Sequence, residues 1–191
     1  RVGPLTNNFV SINELVKLDP KFRNKIIENG ISLCHLLNRD GISWNMVTSL
    51  KTDLRDEVID NLHNVTCLLD SGVPWEQLMK LAPDFRSNII QYSYKVIPLL
   101  KCGAKWDELM KFSPEEVKYF YSDAEKHSEL IKIGFSLGVI KELTDDEVRY
   151  FYRNAKKFLM LNKIGAGFEE IMKLPVADRN YFLKKARQFE A

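Results

Sequence analysis

The sequence predicts an all-α protein, an α-solenoid of about six helix-turn-helix repeats, and three observations carry that reading. Glycine recurs at Gly41, Gly72, Gly103, Gly134 and Gly165, each 31 residues after the last. A large apolar residue stands three positions after each: Trp44, Trp75, Trp106, Leu137 and Phe168. Two more apolar columns keep the same beat, Val47, Leu78, Leu109, Ile140 and Ile171, then Leu50, Leu81, Phe112, Leu143 and Leu174. A unit this short cannot bury its own hydrophobic face and must stack on copies of itself. The expectation is one repeat domain over 1–191, with units starting near 9, 41, 72, 103, 134 and 165.

The first unit, Ile12 to Leu37, places Leu18-Asp19-Pro20 before its second helix; its offset to the next unit is 32, so one residue is inserted near Asn38 to Asp40. In the unit Gly72 to Cys102, Trp75, Leu78, Met79 and Leu81 fall at i, i+3, i+4 and i+6, which predicts two turns of helix with one buried face. Ala82-Pro83-Asp84 then stops that helix and opens a second, expected to run to about Lys101, where Gly103 supplies the left-handed residue that ends it. Pro98 predicts a local kink in this helix. One unit later, Ser113-Pro114-Glu115-Glu116 is a helix start: Ser caps, Pro suits the first position, and the acids favour the positive end of the dipole. The last unit is truncated at Ala191, in the charged stretch Lys184-Lys185-Ala186-Arg187.

Aligned copies show which faces are buried. Val58, Ile89, Phe120, Phe151 and Phe182 form one apolar column, and Leu68, Leu99, Leu130 and Leu161 another. Leu62, Ser93, Ala124, Ala155 and Ala186 stay mostly small, as close helix approach demands. Stacked at spacings of about 8–10 Å, the units would form a curved rod about 50–60 Å long, right-handed by α-solenoid precedent.

Composition bounds the function. With 45% hydrophobic and 28% charged residues the chain has material for a substantial core. A net charge of +2 is far from the excess expected of a dedicated nucleic-acid binder. No apolar run is long enough to span a bilayer, and Arg1 to Leu5 lacks the apolar stretch of a signal peptide, although a chain that begins with Arg reads as an excised fragment. Cys34, Cys67 and Cys102 are odd in number and unrelated in register, which fits a reducing, cytoplasmic compartment. The sequon Asn64-Val65-Thr66 lies inside an expected helix and is read as chance.

No nucleophile elbow, phosphate-cradling glycine loop, zinc-protease helix or aspartate-rich calcium loop occurs, so no catalytic residue, cofactor or metal is expected. Asp145-Asp146-Glu147 aligns with Pro114-Glu115-Glu116 and reads as helix N-terminal charge. His63 and Cys67 share a helical face and could meet Cys34 or His35 at a metal, but two ligands do not make a site and a structural or solvated role is preferred. His127 stands in a column otherwise held by Val65, Val96 and Phe158, and reads as a hydrogen-bonded core imidazole rather than a proton switch.

Six lysines are expected to end helices: Lys80, Lys111 and Lys173 the first ones, Lys101, Lys132 and Lys163 the second. Lys95, Lys126 and Lys157 instead fall mid-helix in one column. Tyr119 and Tyr150 precede two of these by seven residues on the same face, and Tyr181 continues the tyrosine column. Glu57 and Asn88 occupy that register earlier, so it faces water at least in part. Tyr119, Lys126, Tyr150, Arg153, Lys157, Tyr181 and Lys184 are therefore the expected partner-binding strip, since Tyr and Arg dominate binding hot spots. The competing reading has each ring covering the seam between neighbouring helices.

The Trp-x-x-Leu-Met-Lys-Leu repeats across residues 9 to 191 resemble, in style, the helical-repeat modules of secreted effectors from intracellular bacteria such as Legionella. The unit Gly-x-x-Trp-x-x-Leu-Met-Lys-Leu-x-Pro, with Pro83 or Pro114 opening the second helix, also resembles the repeats of the mitochondrial transcription termination factor family, and that resemblance implies nucleic-acid binding. The function expected is a non-enzymatic protein-interaction scaffold. Nucleic-acid binding through the tyrosine and lysine strip is the second reading, and a docking part of a longer enzyme the third.

Overall fold

The computed structural model describes residues 9–39 and 41–189. The segment Arg1 to Leu5, Asp40 of the inserted step and the terminal Ala191 lie outside the described residues. Helix is the regular structure throughout these residues, and the chain forms two compact units, Arg1–Tyr94 and Lys95–Ala191.

The first unit contains α1 (Ile12–Lys17), α2 (Pro20–Glu28), α3 (Gly30–Leu37), α4 (Trp44–Thr48), α5 (Thr52–Asp60), α6 (Leu62–Asp70), α7 (Trp75–Lys80) and α8 (Pro83–Gln91). The chain passes through α9 (Ser93–Lys101) into the second unit, with α10 (Trp106–Leu109), α11 (Pro114–Ser122), α12 (Ala124–Lys132), α13 (Leu137–Glu142), α14 (Asp145–Lys163), α15 (Phe168–Lys173) and α16 (Val176–Lys185), then a 3-10 turn at Ala186–Phe189. Within the first unit α2 packs on α5 and α3 on α6, so equivalent helices of successive copies lie side by side. Within the second, α12 and α16 both pack on α14.

The start signals work locally as the residue types require. Ser113 accepts from the Glu116 backbone at 3.3 Å while the Glu116 carboxylate takes the Ser113 N–H at 2.8 Å, a complete capping box. Thr144 and Glu147 make the same box, so Asp145, Asp146 and Glu147 form the first turn of α14. All five periodic glycines have positive φ, from 81° at Gly41 to 113° at Gly103, a region costly for any residue with a Cβ.

The second helix is not the single helix expected to run from Pro83 to about Lys101. It is broken in four copies, at Asn29, Asn61, Tyr92 and Asp123, where ψ moves to between 14° and 50°, and it is continuous only through α14. Most units are thus three helices, not two. Pro98 is not the cause: the break nearest it is at Tyr92, and the same break recurs at Asn29, Asn61 and Asp123, in units with no proline at the position of Pro98. Asn29 and Asn61 steady the bend by donating from their side chains to the Lys25 and Glu57 carbonyls, at 3.0 and 2.9 Å.

The cores follow the columns. Val58, Ile89, Leu68, Leu99, Leu130 and Leu161 are buried, and burying a side chain such as Phe120 contributes about 1.5–3 kcal/mol. Phe182 departs from its column at 39% exposure. Around Phe168 the second unit gathers Phe135 and Phe158, with ring centroids at 4.2 and 5.6 Å. An arginine column unread in the sequence closes the short helices. Arg86 donates to the Leu81 carbonyl at 2.9 Å and Arg179 to the Met172 carbonyl at 3.1 Å, each filling orphan acceptors at a helix end.

Candidate interaction surface

All seven residues expected in the strip belong to the second unit. The kink at Asp123 changes the status of Lys126, which is not mid-helix but in the first turn of α12. A cation there opposes the helix dipole, and the Asp123 carboxylate at the kink offsets it by pairing with the Lys126 ammonium. Lys157 is mid-helix as expected, and its ammonium donates to Asn154 Oδ1 at 3.0 Å. Lys111 lies beyond its short helix, which ends at Leu109, so it does not close that helix.

Two clefts, each of about 360 Å³, flank α14 one repeat apart. Tyr119 and Lys126 line the first together with Asp123, Asp145, Val148 and Arg149. Tyr150, Lys157 and Lys184 line the second with Asn154, Asn180 and Leu183. Arg153 and Tyr181 line neither; Arg153 is exposed and Tyr181 is 59% exposed.

The tyrosines face two ways at once. Tyr119 is 38% exposed, yet its ring rests on His127 at 4.9 Å and on Phe120 at 5.6 Å. Burial of the ring, then the nearby Asp145 and Asp123 carboxylates, pushes its phenol pKa up. Tyr150 reaches across to α16, its hydroxyl donating to Asn180 Oδ1 at 3.1 Å. The rings therefore cover the seam between helices and still present an edge to the clefts. In the same register of the first unit, Glu57 accepts from Arg86 Nε at 2.8 Å, with side-chain exposures of 16% and 8%. Two repeats on, Tyr119 and Val148 hold these two positions in the lining of the first cleft.

His127 is buried, and its Nδ1 lies 2.8 Å from the Phe120 carbonyl oxygen. A carbonyl only accepts, so Nδ1 carries the proton. This is the hydrogen-bonded core imidazole that its register suggested. Sequence reasoning missed Asp123, Asn154 and Asn180 and read Asp145 only as helix N-terminal charge; these four set the polarity of the clefts. The signal available was the place of Asp123 and Asn154 four residues after Tyr119 and Tyr150, and of Asn180 beside Tyr181.

In the first unit, His35, His63 and Cys67 border a separate cleft, with Cys67 Sγ 3.8 Å from His63 Nε2. Among the described residues no group of three or more His, Cys, Asp or Glu is placed to hold a metal ion. The three cysteines are free and half-buried, and burial pushes the Cys34 thiol up. No helix among the described residues is long and apolar enough to cross a membrane.

Comparison with protein-family models, with curated proteins and with solved structures finds no match for this chain.

Proposed function

We propose that the chain is a non-enzymatic scaffold, an α-solenoid of about six units, which grips a partner protein through the clefts beside α14. The observation that carries this is the recurrence of one cleft plan a single repeat apart: a tyrosine, a lysine seven residues on, and polar groups from the next helix. Repeated, half-apolar recesses with convergent polar groups suit the spaced side chains of a polypeptide. The resemblance to effector modules of intracellular bacteria fits a partner met in a host cytoplasm, and three free thiols agree with a reducing compartment.

Nucleic-acid binding is the weaker reading, because Asp123 and Asp145 border the first cleft and Lys126 is already paired. Two measurements separate the readings. Photocrosslinkers placed at Arg153 and Tyr181, the exposed flanks of the clefts, should trap a partner protein that Tyr119→Ala with Tyr150→Ala no longer holds. A salt series with an oligonucleotide should show no measurable binding at about 50 mM salt. Crosslinks arising equally from the opposite face would remove the proposal.

A further inference from the structure

We infer that the cleft between α14 and α16 is a receptor for one carboxylate side chain of a partner protein, held by Lys157, Lys184 and the amide of Asn180. This deepens the scaffold reading and rests on it for the source of the carboxylate.

The two clefts share a plan but not a charge. Asp123 and Asp145 offset Lys126 and Arg149 in the first. The second is bordered by two lysines and two asparagines, with no acidic residue in its lining. Neither Lys157 nor Lys184 has an ion-pair partner among the described residues, although the chain supplies acidic partners to Lys25, Lys126, Lys132 and Lys141. Local hydrogen bonds orient the donors. Asn154 gives its amide to the Tyr150 carbonyl at 2.9 Å and takes one N–H of Lys157 at 3.0 Å, which leaves two ammonium protons for a ligand. Tyr150 occupies the oxygen end of Asn180, so the Asn180 NH₂ is the end left open. Two cations and one amide donor, gathered on helices with an apolar floor at Leu183, match a single anionic group with a short apolar stem.

A glutamate or aspartate side chain has that form. A nucleic-acid strand does not fit as well: it carries a phosphate on every nucleotide, and a strand crossing both clefts would bring one against Asp123 and Asp145. A polypeptide can place its acid at the second cleft and a neutral residue at the first.

The full chain, followed by two-dimensional NMR, tests this with three probes: a capped pentapeptide with one central glutamate, the same peptide with glutamine, and hexathymidylate. Shifts confined to Tyr150, Asn154, Lys157, Asn180 and Lys184 are expected with the glutamate peptide and absent with the glutamine one. The double variant Lys157→Gln, Lys184→Gln should bind the glutamate peptide about tenfold more weakly or worse, while melting like the parent, since neither ammonium holds an internal ion pair. Equal shifts from both peptides, or undiminished binding by the double variant, would overturn the inference. So would tighter binding of hexathymidylate with shifts through both clefts. No partner enters these titrations, so a failed scaffold reading appears only in the crosslinking, and a failed carboxylate receptor only here.

Discussion

His127 donates from Nδ1 to the carbonyl of Phe120, seven residues earlier, at 2.8 Å. The contact exists because the helix is interrupted at Asp123: the kink turns the Phe120 carbonyl away from its helical partner and the imidazole takes that place. His127→Val, which restores the residue of Val65 and Val96, should leave the carbonyl buried and unpaired and cost about 1–3 kcal/mol. Urea unfolding measures it, and an unchanged midpoint would mean the imidazole only fills space.

The glycines should not be equally sensitive. A Cβ on Gly134, at φ 111°, would stand 3.3 Å from the Cβ of Phe168, whereas one on Gly72, at φ 90°, meets nothing within 4 Å. Gly72→Ala should cost about 1–2 kcal/mol from the backbone alone, and Gly134→Ala more, as read by calorimetry. Equal losses would show that packing against Phe168 adds nothing.

The half-buried Glu57 and buried Arg86 pair should be costly to break from one side. Glu57→Ala leaves the guanidinium only the Leu81 and Met79 carbonyls as acceptors, an effect of about 1–3 kcal/mol. The joint change Glu57→Tyr with Arg86→Val copies Tyr119 and Val148 and should cost less than the single substitution, despite losing the Arg86 bond to the Leu81 carbonyl. Denaturant midpoints of the two variants decide; the reverse order would mean that the first unit cannot accept the apolar version.

The tyrosine column should divide by depth. Tyr150→Phe removes the hydroxyl bond to Asn180 and should cost about 0.5–1.5 kcal/mol. Tyr181→Ala, at an exposed site, should stay within about 0.5 kcal/mol. A large loss at Tyr181 in thermal melts would mean that its ring packs on the fold.

Acid should loosen the helix starts. The Ser11 hydroxyl and backbone hold the Glu14 carboxyl below its usual range, and the Thr144 backbone and hydroxyl do the same for Glu147. A carboxyl depressed in the folded state contributes above its unfolded pKa, about 4.3, and that contribution is lost as pH falls through the folded value. Melting temperature should therefore decline on acidification below that range. Thr144→Ala should cost about 1 kcal/mol near neutrality and show a shallower acid decline; identical slopes would refute the role of the box.

What was readable and what was not follow one division. Gly103, Trp106, Ser113 and Pro114 act through their own backbone preferences or on neighbours within four residues, so a linear sequence displays their effects. Their 31-residue beat therefore placed the left-handed turns and helix starts. The kink at Asp123 has no such signal, because Asn, Tyr and Asp all serve at that position while Asn154 lets the helix run on. Pro98, which carries the expected signal, sits inside a helix. The strip was legible as a row of tyrosines and lysines, but its polarity was not. Whether a lysine is paired, as Lys126 is, or left open, as Lys157 is, depends on which side chains the kinks and the neighbouring helix bring within hydrogen-bonding reach. The sequence alone determined the repeat, its glycine turns, its helix starts and most of the apolar columns that the cores follow, since these are local or periodic properties. Only the tertiary structure decided where the helices break, that Tyr150 bridges to Asn180, and which cleft is left cationic, because those depend on distances between residues about thirty positions apart.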